Sequence, residues 1–325
     1  MVSRKRRKSR HKKAVFVAQK LKLLTLGIIL VLFFLGGVRK LTLAWKNGWD
    51  YHHQENLFIV DGERSYLLIL SPESKEVKSW SFPKTWQLDV FGGLGRYWAK
   101  GVAKFALEEG SGQILGNTLM MELGLPIDLW IYNEHPSCPG DKNTKECLIS
   151  AVWRSGFLGR ASLSKGGKVD FFKTAFFLRR SGNWQMFDVG DEGLLENISE
   201  REGAGMALKK KSWDELSLKF FIDPLIRNEA IPLGVYNFSD QPGVAKTIAR
   251  ILTNAGVTVV AVSNRRQEGI DPCLITVKNA GLKDKFIFKK LLAVFNCRFQ
   301  LRPLDEFSDL TDINVYFGAD WAPLD

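Results

Sequence analysis

The chain of 325 residues carries 46 Lys+Arg against 35 Asp+Glu, and 45% of it is hydrophobic. That composition excludes a disordered chain, and the length predicts roughly two domains. The +11 net charge sits in one place: residues 1–22 hold ten Lys/Arg and no acid, leaving 36 basic and 35 acidic side chains in the other 303 residues, a balance that argues against a nucleic-acid-binding surface spread over the fold.

After the basic tail of residues 1–22, sixteen uncharged residues run from 23 to 38, flanked by Lys22, Arg39 and Lys40. They fall slightly short of the ~20 needed to cross a bilayer core. Snorkelling by Lys20, Lys22, Arg39 and Lys40 extends the reach, and Trp45 and Trp49 suit the far interface. A cleaved signal peptide needs a small-residue cleavage site, and a buried core helix is seldom so uniformly apolar beside a basic block. The expectation is an uncleaved signal anchor, a transmembrane helix over 23–42, in a cell-membrane protein. The positive-inside rule places the tail in the cytoplasm and the rest, from about residue 45, outside. The run at 4–8 then reads as a topology determinant touching anionic lipid rather than nucleic acid.

Residues 56–60, 66–70 and 77–82 read as strands, with turns at 61–64 and 72–75. After the glycine-rich loop at 92–95, a helix is expected from about 97 to 109, with Trp98, Val102, Phe105 and Ala106 on one face. Gly110-Ser111-Gly112 ends it. A second helix should cover 113–123 and stop at Gly124, and 127–132 is a strand. This alternation predicts an α/β layered domain over 50–226. Residues 137–168 carry no clear pattern, 169–180 predict a helix with a basic end, and 209–211 read as a solvated lysine run. From 229 to 325 the order is β-α-β-β-α-β, a small α/β domain. Its strands are 232–236, 257–262, 273–277 and 313–317. Its helices are 243–255, with Val244, Ile248, Ile251 and Leu252 inward, and 285–295.

Cys138 and Cys147 flank a polar loop and suit a small disulfide in an exported domain. Cys273 and Cys297 sit in apolar surroundings and are expected as buried thiols. No C-x-x-C pair supports zinc or thioredoxin-like chemistry. The histidines are His11, His52, His53 and His135. Only the last three are available as base of a Ser-His-Asp hydrolase, and no other feature points to one. His52 and His53 read as a solvated pair.

Val235-Tyr236-Asn237, Pro242-Gly243-Val244-Ala245, Ala255-Gly256-Val257-Thr258-Val259 and the stretch from Asp312 to Asp320 together resemble the LytR C-terminal domain. The region before it resembles a divergent catalytic domain of the LytR-CpsA-Psr family. Leu67-Leu68-Ile69-Leu70-Ser71-Pro72 resembles its strand and turn. Leu123-Gly124-Leu125-Pro126-Ile127-Asp128-Leu129-Trp130 resembles its L-G-(I/L)-x-I-D stretch. The resemblance implies a bacterial, membrane-anchored cell-envelope protein. Such proteins move glycopolymers from a polyprenyl-pyrophosphate carrier to the cell wall. That chemistry takes arginines to clamp pyrophosphate, carboxylates to hold Mg²⁺ and an apolar tunnel for the lipid.

The chain departs where that chemistry is centred. The family's P-R-D-T reads Pro83-Lys84-Thr85-Trp86, and its R-(S/T)-D-T reads Arg64-Ser65-Tyr66 after Glu63. Asp170, Lys173, Arg179 and Arg180 are at best a remnant of the arginine-rich motif. Candidate anion or pyrophosphate ligands are Arg64, Lys84, Arg96 and Lys100; Lys84 offers a point charge without the bidentate fork. Asp61, Glu63 and Asp89 are the few carboxylates left for a metal, so none is expected and no cofactor is implied. Trp80, Trp86, Trp98, Trp130 and Trp153 suit core packing for the most part, or a lipid or sugar groove.

The expectation is a noncatalytic binding or scaffold relative of the wall-glycopolymer transferases. Its partners would be the bilayer and a polyprenyl-linked glycan, peptidoglycan or envelope proteins. The alternative is an active phosphotransferase that moves a glycopolymer from polyprenyl pyrophosphate to the wall with Mg²⁺. A division- or assembly-complex protein is a third reading, on fold analogy alone.

Overall fold

A computed structural model of the chain describes residues 53–62, 64–134, 144–159, 161, 163–165, 167–200, 203–239, 241–264, 273–301 and 310–318. The expected span at 23–42, Glu63, His52, His135 and Cys138 lie outside the described residues. Among the described residues, no helix is long and apolar enough to cross a membrane.

The first half runs β1 (Glu55–Asp61), β2 (Arg64–Ser71), β3 (Glu76–Pro83), β4 (Gln87–Asp89), β5 (Arg96–Trp98), α1 (Ala99–Glu108), α2 (Gly112–Leu123) and β6 (Leu129–Asn133). Then come α3 (Thr144–Ala151), a π-helical turn (Val152–Phe157), β7 (Leu163–Lys165), α4 (Lys168–Arg180) and β8 (Asn183–Asp188). A hairpin of β9 (Leu195–Glu200) and β10 (Gly203–Leu208) leads to α5 (Lys210–Phe220) and α6 (Pro224–Glu229). The last part is β11 (Pro232–Asn237), α7 (Val244–Asn254), β12 (Thr258–Asn264), β13 (Cys273–Val277), a 3₁₀ turn (Ala280–Asp284), α8 (Phe286–Phe295), β14 (Arg298–Leu301) and β15 (Ile313–Phe317).

Six strands form a mixed sheet in the order β7-β6-β1-β2-β3-β8. The unbroken apolar run of β1 fits its central place, where both faces are covered. Phe58, Val60, Leu67, Ile69, Trp80 and Phe82 look into one core with α1, α2 and Trp213 of α5. On the opposite face, Thr174 of α4 reaches Glu55 of β1. The second sheet has the order β12-β11-β15-β13-β14 and packs Leu233, Val235, Ile275 and Val315 against Ile248, Ile251 and Leu291 of α7 and α8.

Residues from Tyr51 onward form one compact unit, and polar contacts join its two sheets. The last carbonyls of a helix lack intrahelical donors. At the end of α2, Arg250 of α7 donates to Met121 O at 2.7 Å, and Asn254 donates to Gly124 O at 3.0 Å. Arg250 Nε also donates to Asp214 of α5 at 2.8 Å. Gly124 has φ +60, and a Cβ there would stand 2.6 Å from the Arg250 guanidinium carbon. Both facts require glycine. Elsewhere Lys290 of α8 pairs with Asp128 and donates to Gln54 O at 3.3 Å.

Several expectations need correction. The helix expected from 97 begins at Ala99, because residues 96–98 pair with β4. Trp98 therefore precedes the helix and stands exposed rather than on its inner face. Trp153 is likewise exposed, while Trp80, Trp86 and Trp130 are buried. The run at 209–211 is not simply solvated: Lys209 donates to Gly193 O at 2.8 Å and Lys210 is ion-paired. His53 is half-buried, its ring 6.3 Å from that of Phe286. The last region holds an additional strand, β14, and with it the largest correction. Cys273 and Cys297 are not thiols but a disulfide, with Cα atoms 4.4 Å apart. Parallel pairing of β13 with β14 sets Leu274 opposite Arg298, so the preceding residue of each strand, a cysteine, meets the other.

Candidate functional site

Antiparallel register fixes one end of the six-stranded sheet. Arg64 opens β2 opposite Pro83 of β3, so Arg64 and Lys84 arrive at the same end, with Asp61 closing β1 beside Asn133 of β6. β8 runs parallel to β3 and sets Asp188 opposite Ser81. Here lies a cavity of about 270 Å³ whose lining includes Arg64, Tyr66, Ser79, Ser81, Thr144 and Asp188. The alternation of β3 explains its polarity: Ser79 and Ser81 face the cavity, while Trp80 and Phe82 face the core.

Asp188 organises this end. It accepts from Ser81 Oγ at 2.7 Å, from Arg64 Nη1 at 2.9 Å and from the Gly190 N–H at 2.9 Å. Burial alone would raise its carboxyl, but the Ser81 hydroxyl, the Gly190 N–H and Arg64 outweigh it and hold Asp188 below the ordinary carboxylate range. Arg64 is thus neutralised by the chain itself. Ser79 Oγ is buried and has no hydrogen-bond partner.

Arg96 belongs to a second ion group. Across the β4–β5 hairpin its Nε donates to Asp89 Oδ1 at 2.8 Å. Lys210 of α5 stands 3.7 Å from Asp89 and 3.2 Å from the nearly buried Glu122 of α2. Burial pulls Asp89 up, but Arg96 and Lys210 leave it below its ordinary value. Burial pushes Glu122 up, with Lys210 offsetting part of the effect. Lys84 and Lys100 are exposed, Lys100 on α1. The structure therefore brings Arg64 and Lys84 to one end of the sheet, with Arg64 alone of the two lining the cavity, and sends Arg96 to a different group. Asp61 and Asp89 lie apart in the same way, and among the described residues no cluster of three His, Cys, Asp or Glu side chains is placed to hold a metal.

Asp170 is occupied as a cap, accepting from the Gly167 N–H at 2.9 Å, and Arg179 and Arg180 stand exposed at the end of α4. Cys147 is disulfide-bonded; Cys138, its expected partner, lies outside the described residues. Sequence reasoning missed Asp188, Ser79, Ser81, Lys210 and Glu122. The serine alternation in β3 was the available signal; Asp188 lies 124 positions from the arginine it binds and carried none.

Glu55 is a third unexpected group. It is fully buried at the start of β1 and accepts from Thr174 Oγ1 at 3.0 Å. Burial first, then the charge of Asp128, pushes its carboxyl well above the ordinary range. Above pH ~4.3 the unfolded chain gives up this proton while the fold keeps it, so stability falls with rising pH until the folded value is passed. Glu55→Gln keeps a neutral acceptor for Thr174. We expect it to match the parent near pH 4 and to gain on it by up to ~1.4 kcal/mol per pH unit above that. Urea titrations from pH 4 to 8 read the difference, and parallel curves for the two proteins would refute it.

No protein-family model matches the chain, and no curated protein matches it. The chain is similar to solved structures of LytR-CPS2A-psr proteins. Bacillus subtilis TagT overlaps 52% of this chain and 89% of its own at 10% identity and a TM-score of 0.35. A LytR-CPS2A-psr protein, YwtF (TagT), with bound octaprenyl pyrophosphate lipid has the same coverage at 9% identity and a TM-score of 0.35. A transcriptional regulator from Enterococcus faecalis overlaps 63% of this chain and 88% of its own at 8% identity and a TM-score of 0.36. Overlaps of this degree leave function to the residues themselves.

Proposed function

We propose that this chain is a single-pass, membrane-anchored cell-envelope protein that binds or scaffolds envelope components without catalysis. The observation that carries the reading is the state of its two best-placed guanidinium groups. Arg64 is held by Asp188 and Arg96 by Asp89. A carboxylate in direct contact competes with an incoming pyrophosphate for the same fork of donors and repels it. A polyprenyl chain also needs an apolar tunnel. The space between the six-stranded sheet and α1, α2 and α5 is instead filled by Phe58, Trp80, Phe82, Trp86 and Trp213, all within 1% of full burial. The Cys273–Cys297 disulfide and the bonded Cys147 support an oxidising, extracytoplasmic location.

The test is binding and turnover of a short-chain polyprenyl pyrophosphate by the full chain in detergent, with and without Mg²⁺. No phosphate release and no glycan transfer are expected, and Arg64→Ala and Arg96→Ala should change any binding less than about twofold, as rim charges do. Turnover that Lys84→Ala abolishes would overturn the reading in favour of the transferase.

A further inference from the structure

The outer surface of α4 carries an unusual stripe. Lys168, Phe172, Phe176 and Arg180 recur every fourth residue, so they line one side of the helix. The inner side buries Phe171, Thr174, Ala175 and Leu178. Phe172 and Phe176 stack at 6.3 Å, and the Arg180 guanidinium sits 4.8 Å over the Phe176 ring. The π-helical turn continues the stripe. Phe157 lies 5.4 Å and Trp153 5.6 Å from Phe172, and the two are 4.7 Å from each other. The turn comes this close because Gly156 has no side chain: a Cβ there would stand 2.1 Å from the Phe171 ring. The result is a ribbon of four contiguous rings on the outside of the protein. Trp153 is 38% exposed, Phe176 45%, and Leu158 beside them 48%.

We propose that this ribbon is a docking surface for the anionic face of a lipid bilayer. Charge complementarity selects the occupant. Arg154, Lys168, Arg179 and Arg180 are all exposed around the rings. The turn and α4 contain one acid, Asp170, which caps its own helix. Trp and Phe at headgroup depth, ringed by Arg and Lys, are the composition of a segment that lies in an anionic interface. A glycan strand needs carboxylate or amide partners for its hydroxyls, and apart from the capping Asp170 these two elements present none. Position agrees. Thr174, midway along α4, donates to Glu55, the first residue of β1, so α4 packs on the strand that opens the folded unit. The ten residues 43–52 that follow the expected span reach at most about 36 Å. The inference rests on the membrane anchor proposed above.

The test uses the full chain in nanodiscs whose acyl chains are brominated, so that they quench nearby tryptophan emission. In discs containing phosphatidylglycerol, Trp153→Leu should remove a bromine-sensitive component that the parent shows, while quenching of Trp45 and Trp49 stays in both. Discs of phosphatidylcholine alone, or Arg154→Gln with Arg180→Gln, should shrink that component at least twofold. Equal quenching of parent and Trp153→Leu in the anionic discs overturns the docking surface and leaves the anchor standing. A chain that does not co-elute with discs overturns the anchor and this inference with it. A Trp153 emission shift on soluble glycan strands with no bromine effect also overturns it and assigns the ribbon to carbohydrate.

Discussion

Trp213→Ala is expected to lower unfolding stability by about 4 kcal/mol, within the range for truncating a buried tryptophan. Trp213 is fully buried and packs on Trp80, Phe82 and Phe221, with ring centroids 5.7, 5.8 and 5.2 Å away. Its Nε1 donates to Leu123 O at 2.7 Å. Truncation therefore opens a cavity among aromatic rings and orphans a carbonyl at the end of α2. The carbonyls on either side of Leu123, those of Glu122 and Gly124, are held by Arg250 and Asn254 of α7, which packs on the second sheet, so the damage falls where α2 meets α7. Trp213→Phe keeps a six-membered ring but loses three indole ring atoms together with the N–H, and should cost less than alanine, about 2–3 kcal/mol. Equilibrium urea unfolding of both variants checks the pair. A Trp213→Ala loss under 2 kcal/mol would mean the cluster collapses around the gap and the side chain is not the keystone argued here.

Replacing Cys273 and Cys297 together with alanine is expected to cost about 3.5 kcal/mol, the loop-closure entropy of a bridge spanning 24 positions. The bond ties the first residue of β13 to the residue just before β14 and thereby fixes the edge of the second sheet. Cys273 is fully buried, so dithiothreitol should reduce the folded protein slowly and the denatured protein at once. Alkylation of the unreduced chain after denaturation, with the modified cysteines mapped, is the second readout. Free thiols at Cys273 and Cys297 would refute the bridge and withdraw its support for an exported domain.

How much was legible in advance depends on the range of the interaction. The run at 56–60 reads as a strand because consecutive apolar residues suit a position covered on both faces, and β1 runs from Glu55 to Asp61. The helix expected at 169–180, with its basic end, begins one residue earlier, at Lys168. What faces Phe172 was not: Trp153 and Phe157 join it only because Gly156 admits Phe171. The helix predicted from 97 failed at its first turn, since local spacing could not reveal that Tyr97 pairs with Leu88. Of the four anion candidates, the chain order says nothing of Asp188, and it is Asp188 that decides the fate of Arg64.

By itself the sequence determined the concentration of positive charge in residues 1–22, the apolar run behind it, the near-neutral body and the positions of most long strands and helices. These follow from composition and from periodicities of two and 3.6, which act between near neighbours. Only the tertiary structure decided which cations are already paired, that Cys273 meets Cys297, that burial raises the Glu55 carboxyl, and that four rings from two elements form one exposed ribbon. Each of these is set by strand register or helix docking between residues far apart in the chain, where burial and a facing charge, rather than local propensity, fix the energy.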